Sequence, residues 1–212
     1  VTKVHLEVKK HAKHGRDVVL IGHKGHPEVV GTLGRHPKSS STKIYLVETK
    51  EDVQNLVINE EDLAYVTQTT LSVDETKEII NELKRKFPKI VGPSADDICY
   101  ATQNRQDAVK QLSLESDLVI VIGSKSSSNS NRLKELAEKC GTKSCLIDGH
   151  EDLNVELLKN KNVIGITAGA SAPEYIVDEL IKFLAKFDYK NVKNISENTE
   201  RINFKLPKEL QK

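Results

Sequence analysis

The sequence contains no methionine and no tryptophan, and it has three cysteines in 212 residues. Because methionine is absent, Val1 is not a natural translation start, and we interpret the chain as a fragment of a longer protein. The cysteines lack zinc-binding spacing and do not form a disulfide framework, so a reducing, cytoplasmic compartment is expected. Without the true start, the sequence says nothing about organellar targeting. No apolar run approaches the roughly 20 residues that span a bilayer, so no membrane segment is predicted.

An excess of charge of either sign is also missing. The 32 Lys and Arg residues nearly balance the 31 Asp and Glu residues, which leaves a net charge of +1. No overall field therefore favours nucleic acid or an anionic membrane, and neither is expected as a partner. Any site for an anionic ligand must be local.

The sequence repeats at a spacing of about one hundred residues. At a shift of 101 residues, Gly123 and the apolar run before it align with Gly22 and its preceding run. At a shift of 100 residues, Thr167 aligns with Thr67. The first shift also places a counterpart of Cys99 just upstream of the first residue. Two tandem units of one βα design are therefore predicted.

Strand and helix patterns alternate along the whole chain. Short runs of Val, Leu and Ile are typical of strands buried on both faces, and amphipathic helices follow them. This alternation predicts an α/β fold of tandem repeated domains, each a small parallel sheet flanked by helices. We expect domains at residues 1–94 and 95–187, followed by a polar tail at 188–212. The helix after Cys99 is expected at residues 103–112.

Polar side chains follow several of the predicted strands. Ser127, Ser128 and Asn129 open a helix after a buried strand, where free N–H groups suit an oxyanion or a phosphate. The same residues are also ordinary helix caps. His26 and Glu28 share the equivalent loop of the first unit: the histidine can donate to a phosphate and the carboxylate can hold a proton. A solvated surface loop is the alternative there.

A further polar pair ends another strand of the first unit. Thr69 and Thr70 form this pair, and Ser171 takes the corresponding place in the second unit. Helix capping would also account for these residues. Because four strand-end loops all carry polar groups and should meet at one face, a site for a small polar ligand is predicted.

The cysteines and histidines divide into candidates and background. Cys99 lies in a loop at a predicted helix start, where a thiolate is favoured, although a buried apolar cysteine is the alternative. Cys140 and Cys145 are predicted on packed elements and interpreted as structural. Ordinary exposed positions are expected for the histidines His5, His11, His14 and His36.

At these residues the chain resembles the LytB family of hydroxymethylbutenyl diphosphate reductases. The motifs are Val1-Thr-Lys-Val-His5, Gly22-His-Lys-Gly-His26-Pro-Glu28-Val, Gly31-Thr32, Thr67-Gln-Thr69-Thr70-Leu-Ser, Asp97-Ile-Cys99-Tyr-Ala-Thr102-Gln-Asn-Arg105-Gln, Gly123-Ser-Lys-Ser-Ser127-Ser128-Asn129-Ser-Asn-Arg132-Leu and Gly169-Ala-Ser171-Ala-Pro. They occur in order over nearly the whole chain.

The resemblance implies a trefoil-like enzyme of three α/β domains around a 4Fe–4S cluster, with one cysteine from each domain. Cys99 would be the third of these ligands; the second would precede Val1, and the first domain would lie further upstream. The chain would then carry two of the three domains. The tail would return to the first domain.

The resemblance also implies roles for the polar residues. Glu28 would deliver protons, helped by Thr69, while the substrate hydroxyl binds the iron that no cysteine holds. Two electrons and two protons would remove that hydroxyl as water, giving isopentenyl and dimethylallyl diphosphates. A donor such as flavodoxin or ferredoxin would supply the electrons. The substrate would be bound by His26, Thr70, Ser127, Ser128, Asn129 and Ser171.

Two other interpretations use the same residues without a metal. One is a transferase or isomerase acting on a phosphorylated ligand through His26, Glu28 and the serine loop. The other is a non-catalytic module that binds phosphorylated metabolites. Two upstream cysteines would favour the cluster enzyme, and their absence would favour either alternative.

Overall fold

Three parallel strands form a sheet in the N-terminal half of this computed structural model, which describes residues 1–58, 61–93, 95 and 97–195. The strands are β1 (Asp17–Ile21), β2 (Ile44–Val47) and β3 (Leu63–Thr67), with β1 between the other two. The helices of this half are α1 (Thr2–Lys13), α2 (Pro27–Leu33), α3 (Lys50–Asn55) and α4 (Val73–Lys86). The alternation of strands and helices is as predicted.

A second parallel sheet follows with the same layout. Its strands are β4 (Leu118–Ile122), β5 (Lys143–Ile147) and β6 (Ile164–Ala168), with β4 in the middle. Its helices are α5 (Tyr100–Glu115), α6 (Ser128–Lys139) and α7 (Glu174–Leu184), and short 3-10 turns cover His150–Asp152, Val155–Leu158 and Ala185–Phe187. The two sheets are separate, which confirms the predicted fold class. In the described ranges no helix is long and apolar enough to cross a membrane.

Each sheet is covered on both faces, so alternate residues of its central strand pack into two different hydrophobic cores. Val18 and Leu20 of β1 pack with α1 and α2, whereas Val19 and Ile21 face the other side. The second sheet divides β4 in the same way. Burial on both faces explains why the central strands are continuous apolar runs.

Helix α5 is longer than the predicted range of 103–112, since it spans Tyr100–Glu115 with Cys99 as its N-cap residue. The side chains it buries include Thr102, Gln106 and Ser113. Because several of the side chains that face inward are polar, the apolar periodicity of this helix is weak, and the sequence underestimates its length.

The strand pairing corrects one detail of the repeat. Thr67 pairs with Ile21 of β1, and Ala168 holds the corresponding place beside Ile122 of β4. Thr67 therefore corresponds to Ala168 and not to Thr167, so β3 and β6 follow the same shift of 101 residues as β1 and β4. The position equivalent to Thr70 is then Ser171.

The domain bounds remain predictions. Residue 94, where we expect the division, lies outside the described residues, and so do residues 196–212 of the expected tail. The first residues of that tail pack on the second unit: the Tyr189 hydroxyl donates to the carbonyl of Lys161 (2.8 Å) and lies 3.2 Å from that of Leu158.

The expectation of an exposed His11 is wrong, because its side chain is 6% exposed. Helix α1 buries Val4, Val8 and Ala12, and His11 falls on the same inward stripe at helical spacing. His5 and His36 are half-buried. Burial lowers the pKa of His11, and the positive charge of Arg16 lowers it further.

Acid should destabilise the fold through His11. The pKa of His11 lies below its ordinary value of 6.5 in the folded state, so the unfolded state binds more protons below that pH. The free energy of unfolding should therefore fall as the pH drops through about 6.5. Urea unfolding at about pH 7.5 and 5.5 should show a smaller loss for His11→Leu than for the wild type. The control His14→Leu, at an exposed histidine of the same segment, should keep the full loss; an undiminished loss in His11→Leu would contradict this account.

Candidate functional site

Glu28 and Thr69, the two residues expected to serve proton transfer, contact each other. The Thr69 N–H donates to Oε1 of Glu28 (2.9 Å) and the Thr69 hydroxyl donates to Oε2 (3.0 Å). Glu28 lies in the first turn of α2, and Thr69 follows β3. Both belong to the edge of the sheet where parallel strands end. The result is a half-buried carboxylate of fixed orientation, which suits proton exchange with a ligand.

His26 is the N-cap residue of α2. Its Nδ1 accepts a hydrogen bond from the Glu28 N–H (3.2 Å), and Pro27 occupies the first helical position. Because Nδ1 is an acceptor, a neutral His26 ring carries its proton on Nε2. That N–H is the group that His26 can offer to an anion.

The serine loop forms the N-terminus of α6. Ser127 caps the helix, since its hydroxyl accepts from the N–H of Ser130 (3.3 Å), and Ser128 is the first helical residue. Asn129 is 7% exposed, and neither atom of its amide has a partner among the described residues. A buried amide without hydrogen bonds is costly, so Asn129 is a group that a bound ligand would satisfy.

The loop that carries Ser171 packs against the same helix start. A Cβ atom at Gly123 would overlap both Oγ and Cβ of Ser130, so this position requires glycine, and a Cβ atom at Gly169 would displace the Ser130 hydroxyl. The Gly169 N–H donates to the carbonyl of Ile122 (2.8 Å), which fixes where the loop leaves β6. Ser171 itself is exposed.

Side-chain contacts join the two units at this site. The Thr70 hydroxyl donates to that of Ser128 (3.0 Å) and accepts from Nε2 of the buried Gln68 (3.0 Å). Arg132 on α6 lies 2.8 Å from Nε2 of His23. Burial and the Arg132 charge lower the pKa of His23, which favours the neutral ring that accepts this bond.

Cys99 is exposed, which removes the alternative of a buried apolar cysteine. Its N–H donates to the carbonyl of Thr69 (3.0 Å), so the thiol-bearing residue lies directly beside the Glu28–Thr69 pair. It lines a pocket of about 530 Å³. Cys145 is half-buried in β5, and burial raises the pKa of its thiol; Cys140, interpreted as structural, is instead exposed at the end of α6.

Within the described ranges, no group of three or more His, Cys, Asp or Glu side chains is arranged to hold a metal ion. The described residues therefore bring one exposed thiol and several polar groups to this edge, without a complete metal site.

Four residues that shape the site were not selected from the sequence: Lys3, Gln68, Asp97 and Arg132. All four belong to the motifs quoted above, which is the only sequence signal that marks them. Their hydrogen-bond partners cannot be predicted from the sequence, because each of the four bonds to a residue at least 30 positions away.

Fold and site together define a class: an α/β protein with polar side chains gathered at the strand ends of two parallel sheets, beside an exposed cysteine. The family model of the LytB protein matches residues 1–185. The chain belongs to the LytB family.

Curated relatives and a solved structure agree with this assignment. The chain is 56% identical to the 4-hydroxy-3-methylbut-2-enyl diphosphate reductase of Saccharophagus degradans and 55% identical to that of Pseudomonas putida, over its whole length. It spans 68% and 67% of those relatives. The structure of the E-1-hydroxy-2-methyl-but-2-enyl-4-diphosphate reductase from Plasmodium falciparum matches with a TM-score of 0.87 and 38% identity, over 98% of this chain and 65% of that one.

The hydrogen bond between Thr70 and Ser128 should be measurable as a coupling between the two units. The variants Thr70→Val and Ser128→Ala each remove one partner, and their effects on the free energy of unfolding should be non-additive by about 0.5–1 kcal/mol. A double-mutant cycle in urea measures this. The control pair Thr70→Val and Ser126→Ala should be additive, because Ser126 bonds within its own loop. Additivity in both pairs would show that the units do not meet as described.

Proposed function

We propose that this chain, within its whole protein, forms part of a 4-hydroxy-3-methylbut-2-enyl diphosphate reductase of the non-mevalonate isoprenoid pathway. The names of the relatives supply the substrate class. The observation that carries the proposal is the position of Thr69, which bonds to Glu28 through its N–H and hydroxyl and to Cys99 through its carbonyl. Thr69 therefore links the carboxylate to which we assign proton delivery with the cysteine to which we assign metal binding.

The diphosphate is assigned to the donors around the start of α6. Ser127 and Ser128 offer hydroxyl groups at a helix N-terminus, and the buried Asn129 amide has no protein partner among the described residues. His26 offers Nε2–H from the start of α2. Fixed N–H and O–H donors of this kind stabilise an anion without reorganisation. Thr70 and Ser171 complete the proposed set at equivalent positions of the two units.

Glu28 is assigned to proton delivery. The reaction takes an allylic alcohol, two electrons and two protons to the alkene product and water. The departing hydroxyl needs a proton, and a carboxyl group held by Thr69 can deliver one without rearranging. The Thr69 N–H and hydroxyl together hold both oxygens of the Glu28 carboxyl group.

The donor set fits one ligand of the 4Fe–4S cluster that the LytB family uses. Cys99 is exposed at the N-terminus of α5, where its side chain is accessible to an iron ion. Cys145 is held inside a strand and Cys140 lies at the C-terminal end of α6, away from the strand-end edge. Further ligands would therefore come from residues outside this chain. When bound, such a cluster supplies electrons singly.

A flavodoxin or ferredoxin as electron donor and a cytoplasmic location complete the proposal. Both are supported by membership of the family alone.

Glu28→Gln in the whole protein should abolish turnover while preserving binding. The amide retains the shape of the carboxyl group but cannot deliver a proton, so the rate should fall roughly 100- to 10,000-fold. Substrate affinity should persist because the diphosphate contacts lie elsewhere. Steady-state rates and equilibrium binding, with cluster content confirmed, measure both quantities.

Glu179→Gln, at an exposed position on α7, is the matched control and should leave both quantities unchanged. Near-normal turnover in Glu28→Gln would remove Glu28 from the mechanism. Lost affinity with intact turnover at saturation would make it a ligand contact.

The isolated 212-residue chain should hold no stoichiometric cluster. Clusters of this kind need several thiolates, and the described residues place one at the site. Anaerobic reconstitution followed by iron analysis and visible spectroscopy should find neither four irons per chain nor reductase activity. Four irons with turnover would refute the assignment of the remaining ligands to other residues.

A further inference from the structure

We propose that Asp97, paired with Lys3, is the positioning residue for Cys99: its carboxylate holds the Cys99 loop on the outer edge of β3. The proposal rests on the proposed function in one respect, namely that Cys99 ligates the cluster.

Strand β3 is the last strand of its sheet, so its outer N–H and C=O groups need partners from elsewhere. The segment after α4 provides them. Val91 bonds through its N–H to Leu63 (2.9 Å) and through its carbonyl to Tyr65 (2.9 Å). Further along, the Cys99 N–H donates to Thr69 (3.0 Å).

Between Val91 and Cys99, the hydrogen-bond partner of β3 is a side chain rather than a backbone group. The Thr67 N–H donates to Oδ2 of Asp97 (2.9 Å), which stands where a carbonyl of a neighbouring strand would be. Asp97 therefore pins the chain to β3 two residues before Cys99, and the Cys99–Thr69 bond follows. These two bonds fix the loop that carries the thiol.

The second carboxylate oxygen of Asp97 meets a cation. Oδ1 accepts from Nζ of Lys3 (2.8 Å), and the Asp97 side chain is fully buried. A buried carboxylate persists when it is paired and hydrogen-bonded, and here Lys3 and Thr67 provide both. Lys3 belongs to the first turn of α1, so Asp97 also ties the start of that helix to the Cys99 loop. Lys3, Asp97 and Cys99 line the same pocket.

A neutral amide would lose the ion pair with Lys3, although Glu7 also lies beside Asp97. Asp97→Asn can still accept from Thr67 through its oxygen, but its NH₂ group would then face the Lys3 ammonium, donor against donor. The Cys99 loop should then open locally more often, while β4, in the other sheet, should not respond.

The test uses the whole protein with its cluster and compares Asp97→Asn with the wild type. Amide hydrogen exchange at Thr67 and Cys99 should accelerate by about tenfold or more, with exchange in β4 unchanged. An iron chelator should remove the cluster faster by about the same factor. Lys3→Met should shift both rates in the same direction, whereas Lys3→Arg, which keeps the cation, should restore wild-type values.

The outcomes separate the possible roles. Faster local exchange with normal cluster retention would mean that Asp97 anchors the loop without positioning a ligand, which would overturn the proposal, as would unchanged exchange at both amides. If Asp97→Asn also loses protection in β4, the variant is unfolded, and the comparison of Lys3→Met with Lys3→Arg decides. A wild-type protein that binds no cluster would refute the proposed function. Faster exchange in Asp97→Asn would then show only that Asp97 anchors the Cys99 loop, and the proposed positioning of a cluster ligand would be overturned.

Discussion

The backbone groups on the outer edge of β3 need hydrogen-bond partners. The chain segment that provides these partners also positions Cys99. Strand β1 satisfies the backbone groups on the inner edge of β3 only. The chain after α4 therefore returns along β3, bonding first through backbone groups, then through a buried carboxylate, and finally at Cys99. Because Thr69 directly follows the end of β3, its bond to the Cys99 N–H brings Cys99 beside the group that holds Glu28.

The two units contribute different halves of one site. The first provides the carboxylate and the imidazole, both on α2, whereas the second provides the hydroxyls and the buried amide at the start of α6. The contacts from Thr70 to Ser128 and from Arg132 to His23 bring these halves together. Repetition of one βα design thus offers two strand-end edges, and sequence divergence gives each edge its own chemistry.

Much of the fold could be predicted from the sequence because its signals are local. Continuous apolar runs indicate strands covered on both faces, and cap residues mark where helices begin. Polar loops after strands meet at one edge in any parallel sheet, so Glu28, Thr69 and the serine loop could be chosen before their contacts were known. Local signals failed at α5, where buried polar side chains hide the helical period, and at His11, where an imidazole lies on an apolar stripe.

The sequence by itself determined the α/β class, the tandem repeat and the identity of the polar strand-end residues, because periodicity and residue type depend on near neighbours. Tertiary structure alone decided which groups meet. The pairs Asp97 with Thr67, Lys3 with Asp97, and Arg132 with His23 join residues 30, 94 and 109 positions apart. The same holds for the exposure of Cys99 and for the Asn129 amide, which has no partner among the described residues, since burial is a property of packed elements and not of a sequence pattern.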